Sequence, residues 1–213
     1  PHRLAVNLPS KISATQLSQQ GKQEEIRFIS LKTNKTNISL PIISASQRGS
    51  INHLVLQHLH FKQLDCEEDI KYQLDKMVER EILRPEEADI VNIHNLLQFF
   101  RSDLGQRVMR ADEVWREKPF NLVISADQFL QNEEAQDCND KLLLQGVIDL
   151  YFREGNELVL VDYKTGLGEK ASIMQSYRAQ IAIYRQALES ILKMKVKESY
   201  LYMLDKGDIV LVE

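Results

Sequence analysis

The stretch QGVIDLYFREGNELVLVDYKTG, Gln145 to Gly166, decides the fold. It contains two apolar runs, Leu142–Phe152 and Glu157–Lys164, joined by Glu154–Gly155–Asn156. Runs of that length around a glycine turn predict a β-hairpin. Alternation places Asp162 and Lys164 on one face of the second strand, with Val161 and Tyr163 on the other. Asp149 interrupts the apolar first strand between Ile148 and Leu150. If the strands pair, Asp149 and Asp162 converge near one end of a sheet. Two carboxylates, completed by water and phosphate oxygens, are a common protein setting for Mg²⁺. Such an ion polarises a phosphoryl group and lowers the pKa of a bound water. A lysine beside it can orient that water or neutralise charge growing on phosphate. Singly, each residue also has a plainer reading. Asp-x-Lys on a strand is often a solvated face or a surface ion pair, and Asp149 alone could cap the turn. The chemical reading rests on the conjunction.

Working outward, Ile173–Leu192 has the spacing of a long amphipathic helix. Tyr177, Gln180 and Tyr184 fall at i, i+3 and i+7, one stripe flanked by Ile181 and Leu188. Packing on a sheet accounts for most of that stripe. Gln180 stands apart, because an amide among apolar neighbours needs a partner when buried. Strands at Glu198–Leu204 and Asp208–Val212 end the chain. Upstream, helical spacing predicts Gly49–Leu59, Glu67–Ile82, and a third helix from Pro85 through Ile93, Leu96, Leu97 and Phe100. Val108–Glu117 and Phe120–Ser125 read as strands broken at Pro119. Residues 1–45 read as an irregular arm with one short strand near Glu25–Leu31, and Gln131–Lys141 as an exposed loop, with another at Gly166–Gly168. The expected plan is an α/β core over 106–213, preceded by a helical part over 46–105 carrying His53, with 46–213 as one folding unit.

Composition excludes several classes. The 213 residues, 43% hydrophobic and 27% charged, suit one globular domain with a helical subdomain. No apolar run approaches the roughly 20 residues needed to cross a bilayer. The start, PHRLAVNLPSK, has neither the apolar core of a signal peptide nor an initiator Met, so the chain is expected to be part of a longer one. Cys66 and Cys138 are too few for a four-thiolate zinc or iron–sulfur site, so no iron–sulfur cluster is expected. Arithmetic alone allows a disulfide; free thiols in a reducing cytoplasm are the simpler reading. The net charge of −4 argues against tight, unaided DNA binding, because phosphate contacts supply most of the affinity of such proteins. No GxxxxGK[ST] motif is present, so these residues hold no ATP-burning P-loop.

The pattern GVIDL…LVDYKTG…YRAQIAIYRQAL resembles the RecB-type branch of the PD-(D/E)xK nuclease superfamily. Within it, the chain is most similar to the C-terminal nuclease domains of AddA/RexA-type helicase–nuclease subunits. The segment LPSKISATQL (8–17), Gln47–Leu59 (QRGSINHLVLQHL) and Trp115–Phe120 (WREKPF) are similar to other parts of that domain. The resemblance implies a restriction-endonuclease-like core: a central mixed sheet flanked by helices, with the helical subdomain in front. It implies that Asp149 and Asp162 are metal ligands and Lys164 the catalytic lysine. It also places Gln180 and Tyr184 beside the active site. His53 corresponds to a histidine completing the metal site; the plainer reading is a helix-surface histidine like His58 and His60. Glu117 corresponds to a glutamate near the site; otherwise it is a partner for Arg116 or Lys118. Tyr163 is expected to pack in the core. Mg²⁺ is the implied ion, and an imidazole ligand would also suit Mn²⁺.

The function so implied is metal-dependent hydrolysis of single-stranded DNA delivered by a helicase motor, during double-strand break repair and recombination. The implied setting is the bacterial cytoplasm at the nucleoid, with no membrane and with a partner of the AddB/RexB type. Two alternatives are a stand-alone Cas4-like exonuclease, which normally carries four cysteines for a cluster, and an inactive module that binds DNA or a partner. Retention of Asp149, Asp162 and Lys164 weighs against the latter.

Overall fold

The computed structural model describes residues 11–15, 43–125, 141–165 and 171–212. The expected strand near Glu25–Leu31, residues 131–140 of the expected acidic loop, and the loop at Gly166–Gly168 lie outside these residues. In chain order the elements are β1 (Lys11–Ser13), α1 (Ala45–His58), a 3-10 turn (Phe61–Gln63), α2 (Glu67–Glu79), α3 (Pro85–Ala88), α4 (Ile93–Arg101) and α5 (Asp103–Arg110). They continue with β2 (Val114–Ser125), β3 (Lys141–Glu154), β4 (Glu157–Lys164), α6 (Ala171–Leu192), β5 (Lys195–Met203) and β6 (Asp208–Leu211).

The mixed sheet runs β1-β3-β4-β5-β6, and β2 pairs with the other edge of β3. The β3–β4 hairpin forms as expected, with Leu150 opposite Val161 and Glu154 opposite Glu157. The β4–β5 pair is parallel, so the chain must cross over between them, and α6 makes that crossover. Each sheet face has its own core. Val159, Val161, Tyr163, Leu150 and Phe152 pack with the helices α1 to α5. Leu158, Leu160, Ile148 and Phe120 pack with Ile181, Tyr184 and Leu188 of α6. The α1–α5 helices thus share one apolar core with the sheet.

Several boundaries differ from the sequence reading. Lys11–Ser13, read as part of an irregular arm, is a strand parallel to β3. The third helix splits in two because Asn92 caps a new start, its side chain accepting the Asn95 N–H at 3.0 Å. Val108–Arg110 is helix, not strand, and the helical part runs five residues past 105. Ser102 caps α5 by accepting the Gly105 N–H. A Cβ at Gly105 would fall 2.0 Å from the Phe99 carbonyl oxygen, so this glycine lets α4 and α5 meet backbone to backbone. β2 continues through Pro119, which pairs with Val147. Among the described residues β3 is the sole partner of β2, and an edge strand tolerates a proline that lacks a donor.

The far end of the hairpin is tied to α5 by charge. Arg107 grips Glu154 through Nε and Nη2, both at 2.9 Å, and reaches Glu198 through Nη1 at 2.6 Å. Lys197 also lies 2.7 Å from Glu154. The Arg107 contact, aided by Lys197 and opposed by partial burial, pulls the Glu154 carboxyl down to about 2. A carboxyl depressed on folding stabilises the native state above its ordinary value near 4.5, and that contribution disappears as pH falls through about 2. Glu154→Gln is therefore expected to cost about 1–3 kcal/mol at pH 7, after allowance for its partial exposure. The difference from wild type should shrink steadily between pH 4.5 and 2. Urea titrations at pH 7 and pH 2.5 measure this; an undiminished gap at the lower pH would contradict it.

Candidate active site

β3 and β4 stop pairing beyond Leu150–Val161. The next facing residues would be Asp149 and Asp162. Instead, Asp149 Oδ2 accepts the Tyr163 backbone N–H at 2.7 Å, so a side chain fills the place of a ladder bond and the strands fork. β2 is irregular at the same level. Arg116 pairs with Leu150 and Lys118 with Ile148, but the pair between them, Glu117 and Asp149, is missing. Glu117 has φ +48°, a left-handed conformation uncommon for a residue with a side chain. Ile148 and Leu150, two apart, face opposite cores, so strict alternation fails at Asp149. The interruption of β2 lies at Glu117 rather than at Pro119.

Helices from both layers reach into this fork. On α1, Ser44 and Gln47 form a reciprocal capping box that fixes the helix start. Gly49 then approaches the chain just beyond Lys164: a Cβ there would meet Thr165 Oγ1 at 2.8 Å. One turn later, His53 Nδ1 lies 3.0 Å from Glu117 Oε1 and 3.4 Å from Asp149 Oδ1. Its ring meets Tyr163 edge-on at 5.7 Å. Tyr163 is buried among Phe99 and Tyr202, the core position expected for it. Burial works to lower the His53 pKa, but hydrogen bonds to Asp149 and Glu117 outweigh it and push the value up to about 10. Without a metal, the imidazolium thus supplies the positive charge between the two carboxylates.

From the other layer, Lys164 Nζ pairs with Asp162 Oδ2 at 2.5 Å and lies over the Tyr177 ring of α6 at 5.2 Å. Asp162 is 1% exposed, so burial drives its carboxyl above the ordinary range while Lys164 draws it back. Its Oδ2 has this ion pair but no aligned hydrogen bond. Gln180 Nε2 donates to the Tyr184 hydroxyl at 2.7 Å, and both residues are buried. Tyr184 is held neutral chiefly by burial, reinforced by the charges of Asp162 and Asp149.

His53, Glu117 and Asp149 each offer a ligand atom, all within 4.8 Å of one another. An imidazole nitrogen and two carboxylates fit a divalent cation, with His53 giving up its proton. Asp162 stands outside that trio, turned to Lys164, and its unaligned buried Oδ2 is a further oxygen at the same fork. Every residue singled out from sequence is therefore in one place, with one rearrangement. Glu117, read as an accessory, lies inside the metal-holding trio, while Asp162, read as a ligand, is held by the lysine.

A PD-(D/E)XK nuclease superfamily profile matches residues 29–211. The chain belongs to the PD-(D/E)XK nuclease superfamily. Similar proteins within this superfamily include a subunit of the ATP-dependent helicase/nuclease of Alkaliphilus metalliredigens, 39% identical over 96% of this chain and 18% of its own length. The protein of the same name from Syntrophomonas wolfei is 40% identical over 96% and 17%. That from Clostridium acetobutylicum is 33% identical over 98% and 18%. The chain spans less than a fifth of the length of these relatives. Among solved structures, SSO0001 matches 76% of this chain and 66% of its own at 11% identity, but a TM-score of 0.34 is too low to add to the fold assignment. For a PD-(D/E)XK nuclease domain the mixed sheet flanked by helices is the expected frame. Two nearby residues had no clear signal in the sequence: Arg116 and, as a neighbour of Lys164, Tyr177.

Proposed function

We propose that this nuclease domain hydrolyses phosphodiesters of single-stranded DNA using Mg²⁺ or Mn²⁺, as part of an ATP-dependent helicase–nuclease of the AddA/RexA type. The observation that carries this reading is the fork, where His53, Glu117 and Asp149 converge beside the Asp162–Lys164 pair. His53, Asp149 and Glu117 would hold the ion, with Asp162 as an additional oxygen. When bound, the ion supplies a Lewis acid for the phosphoryl group and a water of lowered pKa. Lys164 directs its ammonium at the negative charge that grows on phosphate, and Asp162 and Tyr177 fix where that ammonium sits. The Gln180–Tyr184 pair presents a neutral hydroxyl that can orient the water or a backbone oxygen.

The names of the relatives support a motor elsewhere in the protein that delivers the strand, and the −4 charge agrees with a domain that does not capture DNA alone. We infer an AddB/RexB-type partner, a role in processing broken DNA ends, and a cytoplasmic place at the nucleoid. Among the described residues no helix is long and apolar enough to cross a membrane.

The test is degradation of end-labelled single-stranded DNA by purified protein in Mg²⁺, in Mn²⁺ and in EDTA. Cleavage is expected with either metal, none in EDTA, and a loss of about 10²–10³-fold in Asp162→Ala with unchanged circular dichroism. Equal rates for wild type and Asp162→Ala would overturn the proposal.

A further inference from the structure

Arg116 stands next to Glu117 yet takes no part in the trio. Its guanidinium is half-buried and lies 4.6 Å over the Phe61 ring. Nη1 donates to two main-chain oxygens, Leu56 O at 3.1 Å and Leu59 O at 2.5 Å. These carbonyls belong to the C-terminal end of α1, where helix carbonyls have no partner within the helix. A cation there also complements the negative end of the helix dipole. Burial depresses the ionisation of Arg116, and among the described residues no carboxylate pairs with it. The guanidinium is thus spent on backbone.

The consequence lies one residue on. Leu56 is three residues beyond His53, on the same side of α1. Glu117, turned by its φ of +48°, returns to His53 Nδ1. Two consecutive residues of β2 therefore hold α1 at two points, the helix end and the imidazole. We propose that Arg116 is a positioning residue for the metal site: by gripping the end of α1 it sets the reach of His53 toward Glu117 and Asp149. The role needs a flat fork that can serve two carbonyls while stacked on a ring, which a lysine fills only in part. This inference rests on the metal-site reading above, but not on the reaction carried out there.

The test is Mn²⁺ binding by the purified protein, read from the free-ion signal in electron paramagnetic resonance. Arg116→Met keeps the length of the stem and removes the donors. Its Mn²⁺ dissociation constant is expected to rise about 10-fold, the scale of losing a support behind a metal ligand. Arg116→Lys should fall between, about threefold weaker than wild type, because it restores one donor. Glu154→Gln, which loosens the fold away from α1, controls for general destabilisation and should bind Mn²⁺ like wild type. Wild-type binding by Arg116→Met, or equal weakening by Glu154→Gln, overturns the proposal. If circular dichroism shows Arg116→Met unfolded, Arg116→Lys decides, and a wild-type constant for it overturns the proposal. DNA cleavage measured alongside separates the two readings. Wild-type protein that binds Mn²⁺ in an Arg116-dependent way but cuts nothing would sink the nuclease mechanism and leave this inference standing.

Discussion

Asp149→Asn is expected to abolish cleavage of single-stranded DNA, by about 10²–10³-fold or more, in a protein that remains folded. The two oxygens of Asp149 have separate tasks. Oδ2 accepts the Tyr163 N–H at 2.7 Å and holds the fork open. Oδ1 lies 3.4 Å from His53 and belongs to the trio. Asparagine keeps an acceptor for Tyr163, so the fork persists, but it removes the negative charge that a cation requires. Alanine removes both. Asp149→Ala therefore adds a stability loss of about 1–3 kcal/mol, the cost of orphaning a buried amide. Cleavage assays, Mn²⁺ binding and thermal melts on the two variants separate the tasks. Wild-type cleavage by Asp149→Asn would remove this residue from the site.

The second large effect is expected at Lys164. Asp162 is buried, and Lys164 is its ion-pair partner at 2.5 Å. In Lys164→Ala the carboxylate loses that partner, and a buried unpaired carboxylate takes up a proton rather than remain charged. The variant thus forfeits both the ammonium aimed at phosphate and the negative form of Asp162. A loss of about 10²–10³-fold is expected at pH 7. Lys164 draws the Asp162 carboxyl down, so its removal raises that carboxyl further. The residual rate should then climb with pH over a range in which the wild-type rate is flat. A Lys164→Ala rate within about threefold of wild type at pH 7 would contradict the role given to this lysine.

The hairpin was legible because its signals are local. Apolar runs, a Gly-Asn turn and two-residue alternation fix Glu157–Lys164 to the residue. The long helix was legible for the same reason, as was Gln180, whose expected partner is the Tyr184 hydroxyl one turn away. The boundaries that moved depend on contacts distant in sequence or on caps that compete with periodicity. Gly105 looked like an end because glycine often is one, yet here it serves a helix–helix contact. Pro119 looked like a break, but an edge strand does not need its N–H. Glu117 looked peripheral because neither its left-handed backbone nor its contact with His53, 64 residues away, leaves a mark in WREKPF.

The sequence by itself determined the elements and the cast: a hairpin bearing Asp149, Asp162 and Lys164, a helix bearing Gln180 and Tyr184, and His53 upstream. Alternation and helical periodicity are short-range rules, and they were enough for that. Only the tertiary structure decided who stands next to whom. Strict alternation would have kept the two faces of the sheet apart, with α1 on one side and α6 on the other. The sheet forks because Asp149 takes the Tyr163 amide with its side chain, and through that gap both layers meet. Glu117 thereby joins His53 and Asp149, Lys164 holds Asp162, and Arg116 anchors the helix that brings His53 in.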